Sequence, residues 1–465
     1  MSIPTRYPNL PIHCSLTPVL ARAAVALVFC DRIEFTSSHK RLTTGSPLRS
    51  HIPPETLYLL MRNVKSFAFA LVLTYEFAYH TVTLGLSPFQ LVVVGVVLES
   101  MTFLCEIPTG MFADLVSRRL SVILGIVLCG GGFLFEVLSP SFAGVLVAQV
   151  LWGIGFTFFS GAEAAWITDE IGTERAGLLF LRATQLGQVL TIIGTFLGAI
   201  LASFSVSLPI IVGACLCLFL GIVLSFTMTE NGFGPTSRVE KQSTWTIVTR
   251  PLRDSFQLIQ THSVLWLILL IGIVIGVSLG AFDRLHTPHF VTTIGLPSWG
   301  ALSSVSWLGI INGVISVLSL LGMEIVRRRY QTIEQLVIIK LLVGLYCGML
   351  VGSFLFALTN LFTIGFAGFC LTQTCRNVSR PLLLQWVNLN APKQSRATVI
   401  STYWQANAFG HIAGTPVLGW LATIASLRTA LSVGTLVYIT TIPILLIAQR
   451  RWNRAQQVPM VTEEQ

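Results

Sequence analysis

Charged side chains are scarce in this 465-residue chain: 11% are Asp, Glu, Lys or Arg, against 53% hydrophobic ones, with a mean hydropathy of +0.76. An average soluble domain carries about 25% charged residues, so a soluble globule is excluded and the chain belongs in a bilayer. Paired CxxC spacing is missing too. Of nine cysteines, seven (Cys105, Cys129, Cys215, Cys217, Cys347, Cys370 and Cys375) lie in apolar runs and read as small buried residues, neither disulfides nor metal ligands. HExxH and a phosphate-cradling P-loop are both absent, and no serine nucleophile elbow is expected, so neither hydrolysis nor ATP-driven pumping by this chain is supported. The chain is expected not to be an enzyme, and to need no cofactor and no metal.

Long apolar runs are abundant. A spanning helix takes about 20 apolar residues, and runs of that length recur twelve times: 66–84, 89–111, 120–138, 142–167, 178–204, 208–228, 264–282, 301–323, 336–357, 361–384, 397–425 and 429–448. They lack the polar/apolar alternation of barrel strands. The fold class is therefore an all-α polytopic membrane protein of twelve transmembrane helices in two pseudo-symmetric six-helix halves. The net charge of +9 does not point to nucleic acid, because the cations cluster in alternate short loops: Arg62 and Lys65, Arg118 and Arg119, Arg175, the 238–253 group, Arg327 to Arg329, Lys393 and Arg396, and Arg450 onward. Basic loops stay in the cytoplasm, which predicts a multi-pass protein of the cell (plasma or inner) membrane with both termini inside. Only Arg284 and Arg428 fall on the other side.

Residues 1–60, with scattered Pro, Ser, Arg and His, read as a disordered extension, and Met61 would serve as an alternative start. Residues 61–229 form the first half, 230–262 a cytoplasmic linker, 263–449 the second half and 450–465 a cytoplasmic tail. The halves share spaced residues. Asp114, Arg118 and Arg119 match Glu324, Arg328 and Arg329 at an offset of 210, and Trp166, Gln185, Gly194 and Thr195 match Trp386, Gln405, Gly414 and Thr415 at 220. Such repetition predicts a duplicated unit.

The run Glu106-Ile-Pro-Thr-Gly110-Met-Phe-Ala-Asp114-Leu-Val-Ser-Arg118-Arg119 resembles the loop between helices 2 and 3 of major facilitator superfamily transporters. The resemblance implies a cytoplasmic gate of Gly110, Asp114, Arg118 and Arg119, repeated at Glu324, Arg328 and Arg329, that latches helix 2 against helix 11 in one access state. Ser117 stands where the family has glycine and Leu115 where it commonly has a basic residue. Gln149 takes the arginine position of the proton-linked pattern Arg-x-x-Gln-Gly-x-Gly, and Ala199 the proline of the exporter signature in helix 5. Ser160-Gly161-Ala162-Glu163, the Glu-x-Pro-Thr-Gly run and Asn388 to Thr398 resemble a bacterial branch of drug- or metabolite-exporter-like members.

Ionisable residues inside a span cost about 2.5–3.5 kcal/mol and mark a polar pathway by default. The candidates for proton coupling or a substrate cavity are Glu76, His80, Glu99, Glu106, Gln149 and Glu163 in the first half, and Arg376, Arg380, Gln405 and Asn407 in the second. Glu76 and His80 are one turn apart, close enough for a carboxylate–imidazole hydrogen bond, and Glu99, Phe103 and Glu106 share one helical stripe. Glu136 and the Asp283–Arg284 pair are placed near extracellular ends. The first-half acids are expected to face the second-half arginines across a central cavity. The function expected is alternating-access transport of a small solute by a monomer in the lipid bilayer, coupled to protons and directed to efflux. An uptake carrier or facilitator for an anionic or zwitterionic solute is the alternative, and a transporter-fold sensor the third reading.

Overall fold

The computed structural model describes residues 52–233, 263–297, 306–329, 335–390 and 396–457. Most of the expected extension and linker, and Lys393, lie outside them. The described chain is helical: α1 (Pro54–Ala78), α2 (Pro88–Leu115), α3 (Arg118–Leu138), α4 (Phe142–Ser160), α5 (Ala162–Ile171), α6 (Thr173–Phe204) and α7 (Ser207–Thr227) form the first half. The second half comprises α8 (Ser263–Pro288), α9 (Ser306–Arg329), α10 (Gln335–Leu358), α11 (Phe362–Asn390), α12 (Arg396–Ile424), α13 (Leu427–Ile439) and α14 (Thr441–Gln457). The pairs α4–α5 and α13–α14 each make up one expected span, so all twelve spans appear as helices. Among the described residues ten are long and apolar enough to cross a membrane; α11 and α12 fall short of that measure although each has 29 residues.

Local chemistry sets the helix starts. Ser87 and Gln90 close a capping box ahead of Pro88, and Ser117, Ser141 and Ser426 cap α3, α4 and α13 through their hydroxyls. The first helix begins earlier than expected. Residues 54–60, assigned from sequence to the extension, form the first turns of α1, with Leu57 and Tyr58 buried in the first-half core. Gly276-Val277-Ser278-Leu279-Gly280 spells the letters of a nucleophile elbow, yet it forms unbroken turns of α8 with Ser278 buried, so no elbow exists there.

The two halves are built alike. α1 and α8 both pass into a π-helical turn, Tyr79–Thr83 and His289–Ile294, and each turn is followed by a glycine with positive φ, Gly85 (60°) and Gly295 (79°), 210 positions apart. Lipid supplies no hydrophobic drive between helices, so close approach of small residues does the packing. A Cβ at Gly132 would meet the Ala148 carbonyl oxygen at 2.9 Å, and one at Gly352, 220 positions on, would meet the Gly368 oxygen at 2.6 Å. Adding a methyl at such a backbone contact costs about 1–3 kcal/mol.

The end of the bundle that carries Arg118 and Arg327 is called the motif end below. At the opposite, far end the halves meet: α2 packs on α12 and α9 on α6. There the Phe89 amide donates to Thr423 Oγ1 (3.2 Å) and Ser306 Oγ to the Ala199 carbonyl (3.0 Å), while Ala78 and Val92 share a core with Phe282, Leu418 and Ala422. On the motif side of this seam the halves part around a cavity.

Candidate functional site

The cavity has a volume of about 570 Å³ and is lined by both halves. From the first half, α2 contributes Glu99, Phe103 and Glu106, so the expected stripe faces inward, and α4 contributes Phe156, Thr157 and Ser160. The second half answers with Asp283 on α8, Arg376 and Arg380 on α11, and Tyr403, Trp404, Gln405, Asn407 and His411 on α12. Glu106 and Arg380 are exposed, which makes the cavity wet at their level. Because α11 and α12 carry these polar groups, they are the two helices too polar to read as spans by composition. Asn407 also holds the bundle together, donating from Nδ2 to the Gly272 carbonyl (3.1 Å).

Arg376 does not reach across to a first-half acid. It grips Asp283 of its own half with both guanidinium nitrogens, Nη2 donating to Oδ2 at 2.8 Å and Nη1 to Oδ1. Asp283 was placed at a span end because the apolar run stops at Phe282. α8 instead continues through Pro288 into its π turn, which sets Asp283 about three turns inside. Arg380 makes no ion pair among the described residues and lies over Trp404, 5.7 Å from the ring centroid.

A second polar group is sealed inside the first half. Glu76 accepts a hydrogen bond from Gln149 Nε2 (2.8 Å), and His80 Nε2 meets Glu136 Oε1 (2.7 Å). The expected Glu76–His80 bond is therefore replaced by two partners from other helices. One ligand atom from each of Glu76, His80 and Glu136 lies within 4.8 Å of the others. All four residues are buried, and Glu136, expected to be a tolerated charge at a span end, is only 1% exposed. Two carboxylates and an imidazole this close can hold a proton and pass it among themselves.

Glu163 is held by ion pairs within the first half. It binds Lys65, whose ammonium lies 4.0 Å from the Phe159 ring centroid, and Arg62 (2.6 Å), and it does not line the cavity. Arg62 and Lys65 are thus ion-paired inside the first half, and Lys65 is buried, whereas both were expected in a loop.

At the motif end, Ser117 has a role that glycine could not fill. Its hydroxyl caps α3 and donates to Glu230 (2.6 Å), whose carboxylate also accepts from the amides of Arg118 (2.7 Å) and Arg119 (3.1 Å). A carboxylate at a helix N-terminus is favoured by the helix dipole. Arg118 ties Asp114 (3.3 Å) to Asp169, and Arg119 donates to the Ser225 carbonyl (2.6 Å). Gly110 is exposed with open space around it. All these partners belong to the first half or, in Glu230, to the start of the linker, so among the described residues the loop makes no latch to α12. The second copy is a surface fork in which Glu324 pairs with Arg327 (2.7 Å) and Arg328 (2.6 Å), while Arg329 is exposed.

Two helical bundles built alike are closed on each other at one end and parted around a wet polar cavity at the other, a polytopic membrane fold. The Major Facilitator Superfamily model matches residues 57–415, and the chain belongs to that family. It is 23% identical over 213 residues to the uncharacterized MFS-type transporter YxaM of Bacillus subtilis (strain 168); that match covers 44% of this chain and about half (51%) of the relative's length. Solved structures of like fold include the nucleoside transporter NupG (14% identity, TM-score 0.67, 86% of this chain and 100% of that one). Others are the peptide transporter POT in complex with sulfate (13%, 0.67, 86% and 95%) and the human organic anion transporter MFSD10 (TETRAN) (16%, 0.54, 85% and 100%).

Proposed function

We propose that this transporter exports a small metabolite or drug-like solute from the cell by proton-coupled alternating access, with the cavity between α2, α4, α8, α11 and α12 as its translocation site. The observation that carries the reading is the pairing of that cavity with the buried Glu76, His80 and Glu136 cluster one helix layer away. Glu76 connects the two, since it belongs to the cluster and also lines a smaller chamber that shares Glu99, Asp283 and His411 with the cavity. Closure at the far end and separation at the motif end correspond to one access state, open to the cytoplasm if the basic loops lie inside. Both termini are then cytoplasmic and the membrane is the plasma or inner membrane.

An uptake carrier for an anionic or zwitterionic solute is the second reading, favoured by the exposed, cavity-lining Arg380, which has no ion pair among the described residues. Flux in proteoliposomes under an imposed pH gradient tests both, with radiolabelled amino acids, nucleosides, dipeptides and lipophilic amines as the panel. One pH unit should drive about tenfold accumulation of a substrate moved against one proton. Glu136→Gln, in the cluster but outside the chamber lining, should abolish that accumulation and leave solute exchange intact. Flux indifferent to the gradient would overturn the coupling, and its direction relative to the gradient separates export from uptake.

A further inference from the structure

Beyond the cavity, toward the far end, lies the smaller chamber of about 290 Å³ between α1, α2 and α4 of one half and α8, α9, α11 and α12 of the other. Five of its lining residues carry a buried polar atom without a hydrogen-bond partner: Glu76 Oε2, Trp152 Nε1, Arg284 Nη1, Gln373 Oε1 and Thr415 Oγ1. Buried polar groups are rarely left unsatisfied, and five around one hollow describe the outline of something polar that fills it.

The charges on the two walls are opposite. Glu76 and Glu99 come from the first half. Arg284 comes from the second, and it forms no ion pair among the described residues. Its guanidinium is held in place by packing, with Cζ 4.9 Å from the Phe77 ring centroid and against Gly95, where a Cβ would come within 2.9 Å of Cζ. Gly95 is thus the cradle that lets this cation enter the first half. Asp283, the remaining acid of the chamber, is already occupied by Arg376. The imidazoles of His286 and His411 complete the titratable lining.

A lone cation in the chamber would leave Arg284 unanswered, and a lone anion would leave both carboxylates so. Either would also carry a net charge into the membrane core, which is costly. A zwitterion answers both walls and brings no net charge.

We propose that this chamber is the head-group subsite of the transport site and takes a small zwitterion, an ammonium beside a carboxylate, with the ammonium at Glu76 and Glu99 and the carboxylate at Arg284. The body of the solute then lies in the main cavity among Phe103, Phe156 and Trp404. The inference rests on the reading of the cavity as the translocation site. Since the head group touches both halves, its binding fastens them together at the far end.

Three matched probes test the assignment by calorimetric titration of the intact protein in nanodiscs: L-phenylalanine, phenethylamine and 3-phenylpropionate. L-Phenylalanine should bind at least about tenfold more tightly than either singly charged probe. Arg284→Gln should remove that advantage over the amine, Glu99→Gln the advantage over the acid, and Gly95→Ala should imitate Arg284→Gln by displacing the guanidinium. Arg284→Lys, which keeps the charge, should retain part of the preference and control for folding. Equal binding of the three probes, tighter binding of the amine or the acid, no binding of L-phenylalanine, or an Arg284→Gln variant with unchanged selectivity overturns the subsite. Zwitterion binding without any flux would instead refute the transport reading and leave the subsite standing.

Discussion

The same four positions are filled by opposite chemistry in the two halves. In the first, Glu76 bonds Gln149 and His80 bonds Glu136. The residues 210 positions on from Glu76 and His80 are His286 and Phe290, and those 220 on from Gln149 and Glu136 are Phe369 and Phe356. These also meet in pairs: His286 stacks on Phe369 (4.9 Å between centroids) and Phe290 packs on Phe356 (4.8 Å). In the reverse direction, the Asp283–Arg376 pair of the second half maps onto Leu73 and Phe156. Contact geometry is kept across the repeat while polarity is exchanged. The lesson is that packing belongs to the duplicated scaffold and chemistry to each copy, so at these positions one half holds a carboxylate–imidazole cluster and the other a carboxylate–guanidinium pair.

This comparison can be broken most forcefully at Arg376. Arg376→Ala leaves the inward carboxylate of Asp283 without its partner, and the expected loss is about 3–5 kcal/mol, read as a large drop in melting temperature in detergent together with loss of flux. The double variant Asp283→Leu with Arg376→Phe, which copies Leu73 and Phe156, should recover most of that stability and none of the transport. Failure of the double variant to refold the second half would show that the copies are not interchangeable in packing.

A smaller effect is expected inside the first half. His80→Phe copies Phe290 but strands Glu136, at about 1–3 kcal/mol. Adding Glu136→Phe, which copies Phe356, should restore the melting temperature. In this pair transport should lose its response to a pH gradient, and a gradient response equal to the parent's would remove these residues from the proton path.

The smallest effect tests the motif end. Ser117→Gly restores the residue that the family pattern has there; it should cost only a few tenths of a kcal/mol as a cap, yet it removes the hydroxyl that donates to Glu230. Crosslinking between cysteines placed at the motif-end tips of α2 and α12 is the sharper measurement. A rise in crosslinking over the parent would mean that Ser117 holds the loop away from α12.

Much of this was legible in the sequence. The spans, the 210 and 220 offsets and the Glu99–Phe103–Glu106 stripe follow from periodicity and need no tertiary knowledge. Partnerships were harder to read, because they depend on helices distant in the chain. Glu163 finds Arg62 and Lys65 about one hundred positions back (separations of 101 and 98). His80 sits one turn from Glu76, but the helix widens to π geometry from Tyr79, and His80 meets α3 instead. Asp283 and Arg284 were assigned to a span end because hydropathy fades at Phe282, whereas the backbone runs on regardless. Chamber residues such as Gly95 and Asn312 carry no signal of their own, since their meaning comes from what stands opposite.

The shortfall of α11 and α12 as apolar spans bears on how the protein is made. A helix with Arg376 and Arg380 or with Gln405, Asn407 and His411 on one face partitions poorly into lipid by itself. α11 packs along α10, and α12 along α8 and α2, so the helices that receive them are synthesised first. The polar pathway therefore imposes an order on membrane insertion: the nine apolar spans that precede α11 settle as independent segments, and the two that carry much of the cavity's polar lining enter against a surface already built to take them.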